Sequence, residues 1–233
     1  MSRNVFARAK RDWLTDMMKH RTFLAACLLG LGLSAFGLLV SPVSVVAQSA
    51  RDWTQIDESE GIRVWKREIP GQQLPGFRGE TVMATSVEAL VAVLKDYARH
   101  PEWMHRCVAS AQLKDLGGGH SIDYNRTGAP WPVWDRDIII DAQWSEAPDG
   151  RLVTLSFKNA NPKLRPLPKR TVRMPRLVGF YQLWRLGPNR TKVIYQVEAD
   201  PGGSLPTWLA KSVVRDMPYN TLSALRDRTS RKH

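Results

Sequence analysis

Pro130-Trp131-Pro132-Val133-Trp134-Asp135-Arg136-Asp137 runs straight into Ile138-Ile139-Ile140-Asp141-Ala142-Gln143-Trp144. Two prolines and two tryptophans crowd a turn, and an Arg-Asp pair then opens a strongly apolar strand. Charged side chains are seldom placed beside a buried strand unless they are paired, so Arg136 and Asp137 read as a structural salt bridge or a lock on the turn. Side chains alternate faces along a strand. Ile138, Ile140, Ala142 and Trp144 therefore share one face, expected to point inward, and Ile139, Asp141 and Gln143 share the other. Trp131 and Trp134 stand beside prolines. They read either as rim residues that touch lipid or membrane, or as packing beneath the turn.

Outward from this stretch the chain is α+β and mostly strand. Residues 61–67 alternate, and 76–85 read as their partner across a proline- and glycine-rich turn. Ser86 is placed to cap a helix, with Glu88 in its first turn. Leu90, Val91 and Leu94 recur at helical spacing until His100-Pro101 ends the run. Further strands are expected near 108–116, 121–127, 136–144, 152–158, 177–186 and 191–199. Gly117-Gly118-Gly119 and Pro148-Asp149-Gly150 serve as hairpin connectors. Residues 161–170, with three prolines and four basic residues, read as a loop over the rim of the sheet. A final helix from about 205 to 228 presents Leu205, Trp208, Leu209, Val213, Met217, Leu222 and Leu225 on one face, with Pro218 expected to kink it.

Two segments carry a resemblance. The stretch from Pro130 to Asp137 resembles the Pro-hydrophobe-Pro…Arg-Asp signature of START domains, the lipid-binding branch of the helix-grip fold. Asp200-Pro201-Gly202-Gly203-Ser204-Leu205-Pro206-Thr207-Trp208-Leu209 resembles the turn that launches the C-terminal helix in that family. Phe77-Arg78-Gly79-Glu80 also resembles a motif of bacterial START-like sequences, and Arg78 and Glu80 are expected to form structural salt bridges across strands. The resemblance implies an α+β helix-grip fold over residues 51–229. In that fold a curved antiparallel sheet wraps a long C-terminal helix and encloses an apolar cavity. The implied function is binding, and transfer, of one hydrophobic ligand, a lipid, in a tunnel gated by that helix.

Alternation supplies candidate lining residues. Val193, Tyr195 and Val197 share a face, and Phe180, Gln182 and Trp184 share another. On 121–127, Ile122, Tyr124 and Arg126 share parity. Their apolar members suggest that this is the inward face and that Asp123 lies outside. The expected ligand-binding set is Arg126, Tyr124, Trp131, Trp144, Trp184, Tyr195, Trp208 and Met217. Arg126 is assigned to the polar end of the ligand, with pairing to Glu80 or escape to water as alternatives. The aromatic wall reads equally as plain core; alternation does not separate the two.

Residues 1–50 stand apart. Residues 1–21 are polar and basic, and 22–50 carry no charge. Val45-Val46-Ala47 fits a small-residue cleavage site, so 1–47 reads as a secretory signal peptide. The protein is then exported, periplasmic or secreted. The uncharged run is also long enough to remain as an inner-membrane anchor, since about 20 apolar residues span a bilayer. Only Cys27 and Cys107 exist, so loss of 1–47 leaves no intrachain disulfide.

The formal net charge is +12, of which +4 falls on residues 1–50 and +8 on the remainder. A basic balance suits an anionic membrane surface. No five-residue basic block or zinc-finger spacing points to nucleic acid. No zinc-protease motif, nucleophile elbow, phosphate loop or dinucleotide fingerprint occurs. His100, His105 and Cys107 lack metal-ligand spacing. No catalytic residue, metal or cofactor is therefore nominated. Two other functions stay open: a helix-grip enzyme of cyclase or hydrolase type, which would draw on Asp123, Tyr124, Arg126 and Tyr195, and a membrane-anchored interaction module with a filled core.

Overall fold

The computed structural model describes residues 52–230. The chain order is β1 (Thr54–Ser59), β2 (Ile62–Arg67), β3 (Gly76–Met83), α1 (Val87–Lys95), α2 (His100–Trp103), β4 (Cys107–Gly117), β5 (His120–Thr127), β6 (Asp135–Glu146), β7 (Leu152–Asn159), β8 (Thr171–Arg173), β9 (Arg176–Gly187), β10 (Arg190–Asp200) and α3 (Thr207–Ser230). The strands form one sheet in the order β1-β2-β3-β10-β9-β7-β6-β5-β4. All these pairings are antiparallel, and β8 lies parallel to the start of β6. The first hairpin unit thus closes against the last strand. This brings β3 and β10 to the middle of the sheet and α3 across its concave face, the α+β helix-grip arrangement.

Local chemistry explains the elements. Ser86 Oγ accepts the Ala89 amide at 3.2 Å, and Val87, Leu90 and Leu94 bury one face of α1. The helix stops at Lys95 rather than at His100-Pro101. Pro101 instead stands in the first turn of α2, where its missing amide proton costs nothing. Gly118 and Gly119 both hold positive φ, 59° and 78°, as a two-residue hairpin loop between β4 and β5 requires. Two strands escape the sequence pattern. β1, TQIDES, has one aliphatic residue and is largely exposed. β8 is three residues long and follows the proline-rich segment.

That segment does not run over the rim. Residues 161–170 cross the outer face of β5 and β6. Arg173 donates to the carbonyls of Pro162 and Arg165 at 2.5 and 3.2 Å, and the Arg165 guanidinium lies 4.2 Å from the Tyr124 ring centroid. This cover makes Tyr124 and Ile139 buried even though they lie on the convex side.

The core has two centres. One gathers Ile62, Val64, Met83, Leu90, Leu183, Val193, Leu222 and Leu225, which fasten α1 and the C-terminal half of α3 to the sheet. The other gathers Phe77, Ile138, Leu177, Val197 and Val214 under the first half of α3. Gly79 sits where α3 crosses β3: a Cβ there would meet Leu222 Cδ1 at 2.6 Å and Pro218 Cβ at 3.1 Å. Pro218 lies inside the helix, where it has no amide proton to give the Val214 carbonyl. No helix among the described residues is long and apolar enough to cross a membrane. The signal-peptide and anchor readings of 1–47 lie outside the described residues.

Candidate ligand site

Between α3 and the concave face lies a cavity of about 230 Å³ with mostly apolar walls. Its walls include Phe77 from β3, Ile138, Ile140 and Ala142 from β6, Leu155 and Phe157 from β7, Leu177 and Tyr181 from β9, and Tyr195 and Val197 from β10. Leu205, Leu209, Val213 and Met217 close it from the helix side. The lining residues of β6, β7 and β10 are two apart and those of β9 four apart, as one face of a sheet requires. The Tyr181 and Tyr195 rings stack at 4.3 Å between centroids. Burial pushes both phenols up, Tyr195 to about 12, so both are neutral donors at any physiological pH.

The polar groups of the cavity are few and specific. Asp123 is 4% exposed; its Oδ2 accepts from Ser121 Oγ at 3.0 Å, and its Oδ1 has no partner among the described residues. Ser121 Oγ lies 3.4 Å from the Tyr97 hydroxyl. Burial lifts the Asp123 carboxyl to about 6, against the opposing pull of the Ser121 hydrogen bond and the nearby Tyr97 hydroxyl. His100 is held at both nitrogens, by the Leu94 carbonyl at 3.1 Å and Ser110 Oγ at 3.2 Å. Burial pushes its pKa down and keeps the imidazole neutral. The Tyr181 hydroxyl and Thr221 Oγ1, on two other residues of the cavity wall, likewise have no partner among the described residues. Buried polar atoms are nearly always hydrogen-bonded. Three unpaired ones around a single apolar cavity are suited to a guest that brings its own polar groups.

The structure redistributes the residues named from sequence. Tyr195 and Met217 line the cavity. Tyr124 borders it, but its hydroxyl donates to Asp137 Oδ2 at 3.3 Å and its ring carries Arg165, so its functional groups point to the convex side. Arg126 lies off the cavity and pairs with Asp135 at 2.5 Å. The face assignment on β5 is reversed. Thr127 stands opposite Arg136 and Asp123 opposite Ile140. Cross-strand partners share a face, so Ser121, Asp123 and Asn125 join Ile140 inside, while Ile122, Tyr124 and Arg126 go outside.

Trp184 is 39% exposed on the convex face, opposite in parity to Tyr181 and Leu183, which supply the inward face of β9. Trp144 packs beside α1 with Lys95 Nζ 5.3 Å from its ring centroid, beyond the cavity. Trp208 and Trp131 are 56% and 91% exposed and are not part of this cavity's wall.

The expected structural charges also find different partners. Asp137 is fully buried and accepts from Arg173, at 2.7 and 3.0 Å, rather than from its neighbour Arg136. A buried carboxylate needs such a bidentate partner to offset its desolvation. Arg136 is the turn lock: Nη1 donates to the Trp134 carbonyl at 2.7 Å, and Nε and Nη2 reach the carbonyls of Pro201, Gly202 and Ser204 at 3.4, 3.4 and 3.3 Å. Glu80 pairs across strands with Arg63 at 2.9 Å and Lys192 at 2.8 Å. Arg78 instead donates to Gln196 Oε1 at 3.0 Å and stacks over Trp53 at 5.1 Å. The alternation reading missed Asp123, Tyr181, Phe157, Phe77, Tyr97 and Thr221. Counting partners across the 128–135 turn would have found Asp123; Thr221 carries no sequence signal.

Comparison with known proteins supplies the family context. The model of the START domain matches residues 43–232. An uncharacterized protein of Pseudomonas aeruginosa is 33% identical over 203 residues, covering 86% of this chain and 99% of its own. The crystal structure of a STAR-related lipid transfer protein fragment, residues 25–204, from Xanthomonas axonopodis is 35% identical with a TM-score of 0.70. The match covers 77% of this chain and 99% of that one. Human StAR-related lipid transfer protein 5 shares the fold at 16% identity and a TM-score of 0.70, over 78% of this chain and 90% of its own.

Proposed function

The chain belongs to the START-domain family, and on that premise we propose that it binds one lipid in the cavity beneath α3 and exchanges it by movement of the first half of that helix. The observation that carries this reading is the apolar cavity with three unpaired buried polar atoms, on Asp123, Tyr181 and Thr221. Burying a methylene contributes about 0.8 kcal/mol, so a sixteen-carbon chain gains roughly 13 kcal/mol before ordering costs. The walls alone supply the affinity. The polar atoms set the orientation and favour a head group that can donate to Asp123.

Volume argues for the moving helix. The cavity, at about 230 Å³, lies below the roughly 300–1,000 Å³ of pockets that hold larger ligands. A long lipid fits only if the walls part. The C-terminal half of α3 is fastened through Leu222 and Leu225, while Leu205, Leu209, Val213 and Met217 face the cavity. Pro218 separates these halves, and Gly202 and Gly203, both at positive φ, precede the helix. These are the positions where the first half would pivot.

A helix-grip enzyme would need a second reacting group beside Asp123, and His100 on the cavity wall is tied at both nitrogens. Titration with a fluorescent fatty acid tests the proposal. Wild type and Trp184→Ala, altered on the convex face, should saturate at one probe per chain. Met217→Trp, which fills the cavity, should weaken binding by about tenfold or more, the equivalent of one or two lost methylene contacts. Equal binding by all three would remove the cavity from the reading.

A further inference from the structure

Three indoles stand exposed around one end of the cavity. Trp131 is 91% exposed and Trp134 55%, both on the turn before β6, and Trp208 is 56% exposed in the first turn of α3. The turn and the helix start are clasped together by Arg136, which holds the carbonyls of Trp134, Pro201, Gly202 and Ser204. At this end Arg106, Gly128, Ala129, Pro201 and Leu205 form the cavity wall. The indoles thus stand on the two segments, the turn and the helix start, that supply this end of the cavity wall. Exposed tryptophans are costly in water but favoured at a bilayer interface, where the ring meets the acyl boundary and the N–H stays wet.

Basic groups outnumber acidic ones at the same end, where Asp135 is paired with Arg126 and Asp200 accepts the Gly202 amide. β8 runs parallel beside the start of β6 with Thr171 opposite Asp135, so Lys169 and Arg170 lead into β8 at the end where Trp134 leads into β6. A Cβ on Gly202 would touch Val172 and Pro175, which places the start of the helix against the same segment. Residues 159–176 contain six basic residues and no carboxylate. Lys163, Lys169 and Arg170 are exposed and have no ion pair among the described residues, and Leu164 and Leu167 between them are exposed as well. Basic side chains interleaved with exposed tryptophan and leucine form a surface complementary to anionic lipid head groups.

From these observations we infer that Trp131, Trp134 and Trp208, with Lys169 and Arg170, form a docking surface for an anionic bilayer that brings the cavity mouth against the membrane. This deepens the lipid-carrier reading and rests on it. Docking there places the mobile half of α3 at the interface, so that a lipid passes between bilayer and cavity without crossing water.

The test uses the chain from Gln48 onward. It omits residues 22–47 of the uncharged run, which could bind vesicles by themselves, and retains both core clusters and every described strand and helix. Vesicles of phosphatidylcholine and phosphatidylglycerol in equal parts are compared with pure phosphatidylcholine, with bromines on the acyl chains to quench indole fluorescence. Wild type should bind the anionic vesicles, be quenched by them, and be released by salt, which shortens the range of the charges. The triple variant Trp131→Ala, Trp134→Ala, Trp208→Ala should lose more than about tenfold in partition. Lys169→Gln with Arg170→Gln should lose about 25-fold, since each basic residue near an anionic surface is worth about fivefold.

Both variants alter exposed side chains, and both should still take up a fluorescent fatty acid from albumin in the absence of vesicles. Vesicle binding undiminished in both variants would overturn the docking surface and leave the cavity reading intact. Undiminished binding in wild type with no quenching would also overturn it. Failure of wild type itself to take up the fatty acid would strike the cavity reading instead.

Discussion

Asp123 is the residue whose environment decides most. Its carboxyl is buried, half satisfied, and lifted to about 6 from an ordinary value near 4. A raised folded-state pKa favours the protonated acid in the native protein. The stability it contributes is fully present below the unfolded-state pKa and is lost as pH rises from about 4 through about 6. Asp123→Asn removes that dependence. Thermal melts across this range should show the variant gaining on wild type as pH rises and holding a constant advantage above it. A difference between the two that does not change with pH would contradict the assignment. The sequence displayed Asp123 but hid its direction. Ile122 and Tyr124 looked like an inward face because apolar residues usually are, yet here the segment 161–170 covers the convex side and buries Tyr124 there. The same cover explains why Asp137 pairs with Arg173, a residue thirty-six positions away, rather than with adjacent Arg136. Adjacent strand residues point to opposite faces, so that pair could not close internally.

At the scale of elements, two glycines set how closely layers approach. A Cβ on Gly179 would lie 2.4 Å from the Gln196 carbonyl oxygen and 2.6 Å from the Phe157 ring. Backbone on β10 cannot retreat without breaking the ladder. On Gly79 the nearest atom is the end of the Leu222 side chain at 2.6 Å, which can turn aside, though Pro218 Cβ at 3.1 Å cannot. Gly79→Ala should therefore cost about 1–3 kcal/mol, the usual penalty for overpacking, and Gly179→Ala more than that. Urea midpoints at constant slope would check the order; a Gly79→Ala cost equal to or larger than that of Gly179→Ala would contradict it. Elements with strong periodicity were legible, as with α1 capped by Ser86 and with β6, β7, β9 and β10. β1 and β8 were not, because TQIDES has no apolar alternation and Thr171–Arg173 is held by pairing to β6 rather than by its own pattern. Along α3, the sequence marked Trp208 as part of the apolar stripe, but Leu209 takes the inward position and the indole turns outward. Leu209, Val213 and Met217 already complete that stripe at helical spacing.

For the whole molecule, the helix-grip architecture followed from two local motifs in the right order, and a curved sheet under a long helix leaves room that side chains do not fill. The cavity itself was not legible, because alternation marks a face as inward and says nothing of whether the opposite wall touches it. Volume, three unpaired polar atoms and a helix divided at Pro218 together support a carrier that opens to load. The most direct test is native mass spectrometry of the chain from Gln48 onward, purified from cells without detergent, followed by organic extraction. One lipid-sized adduct per chain, released on unfolding and less abundant in Met217→Trp, is the predicted result. A wild-type protein that emerges empty, and stays empty after incubation with fatty acids, phospholipids and sterols, would contradict the central claim that this cavity carries a lipid.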